Sequence, residues 1–450
     1  MTVALIILAA GKGTRMNSDQ AKVLHQIAGA PMLAHALRSA QDLAPARSVI
    51  VAGHGYDAVE RSLADFAPEA VVVRQEQQLG TAHAVDAARG ALEDFDGDVI
   101  VLYGDTPFVS PETLQRMAEA RRDHALVVLG FEAADPGKYG RLVMRGESLE
   151  SIVEFADATD EQKSITLCNS GVIMADREVL FSLIEAIECA NAQGEYYLTD
   201  AIAIARDRGL SVTAVSCDEA ETLGINSRVE LAAAEAIFQA RARRCLMEDG
   251  VTLQQPETVS LAFDTVIGRD TVIEPNVVFG PGVTVESGAH IRAFSHLEGC
   301  HVSRGAVIGP YARLRPGAEL AEDVRVGNFV EIKNAVIDEG AKINHLSYIG
   351  DAHVGATSNI GAGTITCNYD GVMKHRTEIG ANAFIGSNTM LVAPVRIGAG
   401  AMTGSGSVIT RDVPDDALAL ARSEQVNKPG LSRKLFELLK LKKKKLSLEN

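Results

Sequence analysis

Leu8-Ala9-Ala10-Gly11-Lys12-Gly13-Thr14-Arg15-Met16 follows directly on an apolar run, Val3–Ala9. Gly11 and Gly13 let backbone N–H groups approach a phosphate, and Lys12 and Arg15 add positive charge for a polyphosphate. Lys22 follows shortly after, in Ala21-Lys22-Val23-Leu24. The loop is not a Walker A sequence, and Met16 stands where a dinucleotide fingerprint needs its third glycine. A second apolar run, Asp98–Tyr103, ends in Gly104-Asp105. A carboxylate there suits Mg²⁺, which takes one or two carboxylates plus phosphate oxygens and water. Far along the chain stand Arg313-Leu314-Arg315-Pro316, Lys333, His345, Tyr348 and Asn368-Tyr369-Asp370-Gly371. They offer guanidinium and ammonium groups for a phosphate, a histidine to move a proton, and a tyrosine.

These residues must be placed by folded elements, and 450 residues is too long for one ordinary domain. At 46% hydrophobic and 23% charged, the chain can bury cores. The formal net charge of −16 argues against a nucleic-acid binder, although a basic pocket for a small anion remains open. The six cysteines, Cys168, Cys189, Cys217, Cys245, Cys300 and Cys367, show neither a C-x-x-C pair nor zinc spacing. Reduced thiols and a cytoplasmic location are expected. The N-terminus lacks a basic flank and breaks at Gly11, so it reads as a strand and not a signal peptide. No apolar stretch is long enough for a membrane span.

Glycine divides the chain: 21 of the 40 lie in residues 261–410. Before that point short apolar runs alternate with helical stretches. Val3–Ala9, Ser48–Ala52, Ala70–Val73, Asp98–Tyr103 and Ala125–Phe131 predict strands. Pro31–Asp42, Thr81–Ala91 and Glu112–Asp123 predict helices. Such alternation gives a mostly parallel sheet with helices on both faces, binding ligands beyond the carboxyl ends of its strands. Residues 229–248 lack Gly and Pro and predict one long helix, a rigid linker ending at Gly250.

Afterwards an apolar residue recurs every six. The positions are Ile267, Ile273, Phe279, Val285, Ile291 and Leu297, then Ile308, Leu314, Leu320, Val326 and Ile332. Ile337, Ile343 and Ile349 follow, then Ile379, Ile385, Leu391 and Ile397. The pattern skips Thr403 and returns at Ile409. Period six is the mark of a β-solenoid with one inward side chain per short face. The basic tail, Arg433, Lys434, Lys440 and Lys442–Lys445, could meet a polyanion or anionic lipid. A solvated, partly disordered terminus is the expectation preferred here.

The pattern Leu-x-x-Gly-x-Gly-Thr-Arg-Met, followed by a lysine, resembles the signature of sugar-phosphate nucleotidyltransferases. That family usually has Pro before the lysine, where Ala21 stands. The resemblance implies attack of a sugar 1-phosphate on a nucleoside triphosphate, with release of pyrophosphate. It implies catalytic roles for Arg15 and Lys22, and a nucleotide site of Leu8, Ala9, Ala10, Gly11, Lys22, Gln75, Gly80, Thr81, Tyr103, Gly104 and Asp105. It adds Gly140, Glu154 and Asn169 for the sugar. Asn226 would be a second Mg²⁺ ligand with Asp105; Ser227 departs from the Asn usually beside it. Singly these residues say little, since a lone Lys22 is usually a surface lysine and a lone Asp105 a turn former. Their order carries the inference.

The strings 313–316, 328–334, 342–351 and 359–371 resemble the acetyltransferase half of bacterial bifunctional uridylyltransferase–acetyltransferase enzymes, and the match covers nearly the whole chain. By that resemblance the chain acetylates glucosamine 1-phosphate from acetyl-CoA. It then couples N-acetylglucosamine 1-phosphate to UTP, giving UDP-N-acetylglucosamine. Residues 1–228 would be the uridylyltransferase domain, an α/β unit with a Rossmann-like mixed sheet. Residues 229–249 would be the helical linker, and 250–450 a left-handed parallel β-helix of hexapeptide repeats. His345 would be the general base, its unperturbed pKa of about 6.5 suiting an attacking amine. Arg315 and Lys333 would hold the sugar phosphate, with Tyr348 and Asn359 on the sugar. Ala362, Asn368, Tyr369, Ser387, Ser405 and Arg422 would meet acetyl-CoA. A homotrimer through the β-helix is implied. Two other readings stand beside this one: a single-activity nucleotidyltransferase whose solenoid only assembles or regulates it, and a non-catalytic sugar-nucleotide sensor.

Overall fold

The computed structural model describes residues 2–189 and 194–447. The chain forms two compact units, Met1–Cys245 with Leu261–Phe263, and Leu246–Ser260 with Asp264–Asn450.

The first unit is built on β1 (Val3–Ala9), α1 (Met32–Ser39), β2 (Arg47–Ala52), α2 (Tyr56–Phe66), β3 (Val71–Arg74) and α3 (Thr81–Asp86). There follow β4 (Asp98–Tyr103), α4 (Pro111–Ala120), β5 (Leu126–Glu132), β6 (Arg141–Arg145), β7 (Ser148–Val153) and β8 (Leu167–Asp176). Last come α5 (Arg177–Glu185), α6 (Asp200–Asp207), β9 (Val212–Cys217) and α7 (Arg228–Glu248). The strand order is β9-β5-β8-β4-β1-β2-β3, with β6 and β7 paired off β8. β8 runs antiparallel to both β4 and β5, so the sheet is mixed. β1 is buried along its whole length. Ala4, Ile6 and Leu8 face one core and Val3, Leu5, Ile7 and Ala9 the other. A strand covered on both faces needs a continuous apolar run, which this one has. The loops after β1 and β4 therefore open at one edge of the sheet, and they carry Gly11 and Asp105.

Strand ends fall within a residue of expectation. The expected helix 31–42 stops at Ser39, and 81–91 divides at Ala87 into α3 and a 3₁₀ turn, Arg89–Leu92. The hairpin β6–β7 and the antiparallel β8 were not anticipated. The helix expected as a linker packs on the first unit through Cys245. Gln239 is buried, and its amide makes both hydrogen bonds to the Leu261 backbone, at 2.7 and 2.9 Å. Ala234 joins a cluster with Met16, Ile27, Met32 and Phe108. Sparse apolar residues in an Ala, Glu and Arg background concealed that face.

The second unit is a left-handed parallel β-helix. Its short strands stack in three columns, two of which join through Glu331–Ile337 and Tyr348–Val354. Every position of the six-residue pattern is buried, Thr403 included. Thr403 keeps its place because its hydroxyl accepts from the Gly386 N–H at 3.0 Å. Register partners are 17 or 18 residues apart from Ile273 to Ile360; the next, Ile385, is 25 on. The extra residues form a loop around Tyr369–Lys374, closed by a bridge between those two. The basic tail carries a helix, α8 (Leu431–Leu446), exposed along its whole length as a solvated terminus would be. Its leucines recur at helical spacing, a pattern the lysines masked.

Candidate functional site

Two sites emerge, one in each unit. In the first, a cavity of about 280 Å³ is lined by Leu8, Ala9, Ala10, Gly11, Lys22, Gln75, Gly80, Thr81, Tyr103 and Asp105 among others. A second cavity of about 190 Å³ shares Thr81, Tyr103 and Tyr197 with it and adds Glu154 and Asn169. Gly140 adjoins these: its carbonyl accepts the Asn169 N–H at 2.8 Å. Gly104 ties β4 to β1, donating to the Leu8 carbonyl at 3.0 Å.

The glycines act through space. Gly11 has no neighbour where a Cβ would sit, leaving its backbone open to a ligand, whereas a Cβ on Gly80 would lie 2.5 Å from the Tyr196 carbonyl oxygen. Gly80 also has φ 113°, which L side chains rarely adopt. Beside it, the Gln75 amide nitrogen donates to the Gly80 carbonyl at 3.2 Å. That contact leaves the amide oxygen of Gln75 for a ligand donor.

Lys22 Nζ donates to the Asp105 carboxylate and, at 3.0 Å, to Asn226 Oδ1. Two oxygens from positions 105 and 226 thus converge on one cation, as Mg²⁺ would require. Among the described residues no cluster of three or more His, Cys, Asp or Glu could hold a metal. A site completed by substrate phosphates and water is the kind Mg²⁺ uses. The residues fit Mg²⁺. Asn226 is held in turn, its N–H donating to Glu230 at 2.7 Å, while Ser227 Oγ accepts from the Glu230 N–H at 3.3 Å. Ser227 therefore serves the start of α7. Burial pushes the Glu154 carboxyl up, helped by Asp157 and Asp200. Burial likewise raises the Tyr103 phenol, followed by the charges of Asp105 and Glu154. Arg15 is exposed and does not line either cavity.

In the second unit His345 faces Asn328 on the preceding coil, Nδ1 to Oδ1 at 3.0 Å. An amide oxygen only accepts, so Nδ1 is the donor in this contact, and Nε2 makes no part of it. The column continues upward. The His345 carbonyl accepts from the Gly363 N–H, Ala362 from Asn388, and Ser387 from Gly406. Arg422 Nη1 closes it on the Ser405 carbonyl at 2.8 Å. Asn359 lies on the coil after His345, in register with Lys342.

Around the corner, Tyr348, Lys333 and Arg315 occupy another column. Asn368 is buried; its amide nitrogen donates to the Asp351 carboxylate and, at 3.4 Å, to Tyr348 Oη. Asp351 Oδ1 also accepts from Asn334 Nδ2 at 2.5 Å. Burial pushes the Asp351 carboxyl up, but the Asn334 and Asn368 amides, Lys374 and Lys333 hold it below its usual range. Lys333 is pushed down by Lys374 beside it, and further by Arg315. Arg315 pairs with Glu331 at 2.8 Å. Three cations gathered with two carboxylates make a place for a phosphate. Tyr369 is exposed on the loop, its hydroxyl donating to the Gly371 carbonyl at 2.5 Å.

His345 and Tyr348 thus flank a corner on strands of different sheets, with no hydrogen bond between them. Asn328 and Asp351 lay within the strings read from the sequence but were given no role, and Lys374 escaped that reading. Asn328 could have been found one coil before His345. Lys374 could not, because it lies in the inserted loop, outside the six-residue count.

The comparisons agree with this division. A MobA-like NTP transferase domain matches residues 5–170, and the bacterial transferase hexapeptide (six repeats) matches residues 264–299 and 376–411. The chain is 71% identical to a Bifunctional protein GlmU of Ruegeria sp. (strain TM1040), over 98% of this chain and 99% of the relative. The GlmU of Ruegeria pomeroyi is 71% identical, over 98% of each chain. That of Cereibacter sphaeroides (strain ATCC 17025) is 67% identical, over 98% of this chain and 97% of its own. With both sites on one chain and identity sustained over its length, this protein belongs to the GlmU family of bifunctional proteins.

Proposed function

We propose that the two sites act in sequence. The second unit acetylates glucosamine 1-phosphate from acetyl-CoA, and the first joins the product to UTP, yielding UDP-N-acetylglucosamine and pyrophosphate. In the first step the substrate amine attacks the thioester carbonyl and the C–S bond breaks. His345 Nε2 takes the amine proton, and coenzyme A leaves as its thiol after protonation. Arg315, Lys333 and Lys374 hold the sugar phosphate, while Tyr348 and Asn359 orient the sugar. Asn368, Tyr369, Ala362, Ser387, Ser405 and Arg422 serve acetyl-CoA.

In the second step a phosphate oxygen of N-acetylglucosamine 1-phosphate attacks the α-phosphorus of UTP, and the bond to the β-phosphate bridge oxygen breaks. Asp105 and Asn226 hold Mg²⁺, which supplies charge neutralisation when bound. Lys22 neutralises phosphate charge, and Arg15, outside the cavity lining, keeps only the role the family resemblance gives it. Gln75 and Thr81 read the base, and Gly140, Glu154 and Asn169 the sugar. Positioning and charge suffice, with no covalent nucleophile.

The observation that carries the two-reaction reading is the Asn328–His345 pair. A solenoid serving only as scaffold has no use for an imidazole held through Nδ1 by an amide oxygen, in a column that ends on an arginine. The solenoid also carries an exposed ladder of stacked rings. Phe294 to Tyr311 is 4.9 Å and Tyr311 to Phe329 5.3 Å, with exposed Leu346 at the same corner. This ladder, ending beside His345, supports trimer formation through the β-helix, with neighbouring copies completing the acetyl-transfer site. A cytoplasmic enzyme is the corresponding location. The test is one incubation of protein, glucosamine 1-phosphate, acetyl-CoA, UTP and Mg²⁺. Free thiol, pyrophosphate and UDP-N-acetylglucosamine together uphold both steps. Sugar nucleotide formed only from supplied N-acetylglucosamine 1-phosphate, with no thiol released, overturns the acetyl-transfer step.

A further inference from the structure

Neither reaction uses α8. All of its residues are exposed, as is the chain on either side from 421 to 447, so the helix lies on no part of its own unit. Leu431, Leu435, Leu438, Leu439 and Leu446 recur at i, i+4, i+7, i+8 and i+15, which places them on one side of a helix. Leu435, Leu438 and Leu439 are 50%, 62% and 61% exposed. Arg433, Glu437, Lys440 and Lys444 take the opposite side, and Lys434, Lys443 and Lys445 the flanks.

The charge is as uneven as the hydropathy. Seven cations and one acid give α8 a charge of +6, so the rest of the chain carries −22 of the total −16. A polyanion without an apolar phase would leave the leucines in water, which disfavours nucleic acid. Pairing with a second α8 would bring like-charged flanks together, and it would bury Lys442, which stands within the leucine stripe. A lipid surface meets both demands. Acyl chains take the leucines, anionic headgroups take the flanks, and a lysine within the stripe reaches the headgroups by its long stem. At about 1.5 Å per residue the helix is near 24 Å long, short of a hydrocarbon core. No helix among the described residues is long and apolar enough to cross a membrane.

We propose that α8 is an amphipathic anchor that lies in the plane of an anionic phospholipid surface and attaches the enzyme to it reversibly. The acidic remainder is repelled by the same surface, which confines attachment to α8 and leaves both sites in water.

The test is flotation of the full-length protein with vesicles of phosphatidylcholine alone and of phosphatidylcholine with about one-third phosphatidylglycerol. Recovery is expected at least about tenfold higher on the anionic vesicles, and it should fall sharply at molar salt, where screening is complete within about 3 Å. The variant Leu435→Asp/Leu439→Asp should lose flotation while keeping thiol release, pyrophosphate release and oligomeric mass. Equal recovery on both vesicles, or none on the anionic ones, would overturn the proposal. So would undiminished flotation of the variant, which would reduce the contact to charge alone. A changed oligomeric mass in that variant would assign the leucine face to a second copy instead.

Discussion

Asn328 Oδ1 and His345 Nδ1 meet at 3.0 Å across one coil boundary, and that contact engages Nδ1 and leaves Nε2 for the proposed base role. Asn328→Asp sets a negative charge in the same place. A carboxylate favours the imidazolium, so the base form is reached only at higher pH. The acid limb of the thiol-release profile should move up by about one pH unit or more. An unmoved limb would remove this pair from the proton transfer.

Lys22 and its two acceptors give a second expectation. Asp105→Asn keeps the shape and removes the charge. Contacts to charged groups are worth about 1.5–3 kcal/mol, so the Mg²⁺ needed for half-maximal pyrophosphate release should rise at least about tenfold. Thiol release should not change. An unaltered Mg²⁺ requirement would exclude Asp105 as a ligand.

Lys374 depresses Lys333, so Lys333 loses its proton at lower pH than an ordinary lysine. Capture of the sugar phosphate should therefore weaken early as pH rises. Lys374→Ala removes the repulsion and returns Lys333 upward. The alkaline rise in KM for glucosamine 1-phosphate should move to higher pH, while KM at neutral pH increases from the lost charge. A fixed alkaline limb would show that Lys333 does not meet the phosphate.

Gly80→Ala combines a positive φ with a Cβ placed 2.5 Å from the Tyr196 carbonyl oxygen. Strain of about 1–3 kcal/mol is expected, read as a lowered unfolding midpoint of the first unit. KM for UTP should rise, because Gly80 and Thr81 both line the cavity. An unchanged midpoint would mean that the turn relaxes without strain.

Much of this was legible in the residues because the signals were local. An apolar run such as Val3–Ala9 can be a strand buried on both faces, and a six-residue count survives small breaks in register. The nucleotide loop, Lys22 and Asp105 stand at strand ends, where topology alone predicts a site. What local signals could not supply was set by distance. Lys22 reaches Asn226 across 204 residues, and only the family resemblance had put Asn226 in the same site. Asp351 reads as a turn residue until the fold brings Asn334 and Asn368 to its two oxygens. The leucines of α8 were hidden among lysines, because composition dominates where period is not counted.

The most direct test of two separable sites is His345→Ala assayed for both products. The account predicts loss of thiol release by about 10²–10⁴-fold, the usual share of a general base, with pyrophosphate release from N-acetylglucosamine 1-phosphate and UTP unchanged. Undiminished thiol release, or parallel loss of pyrophosphate release, would contradict it.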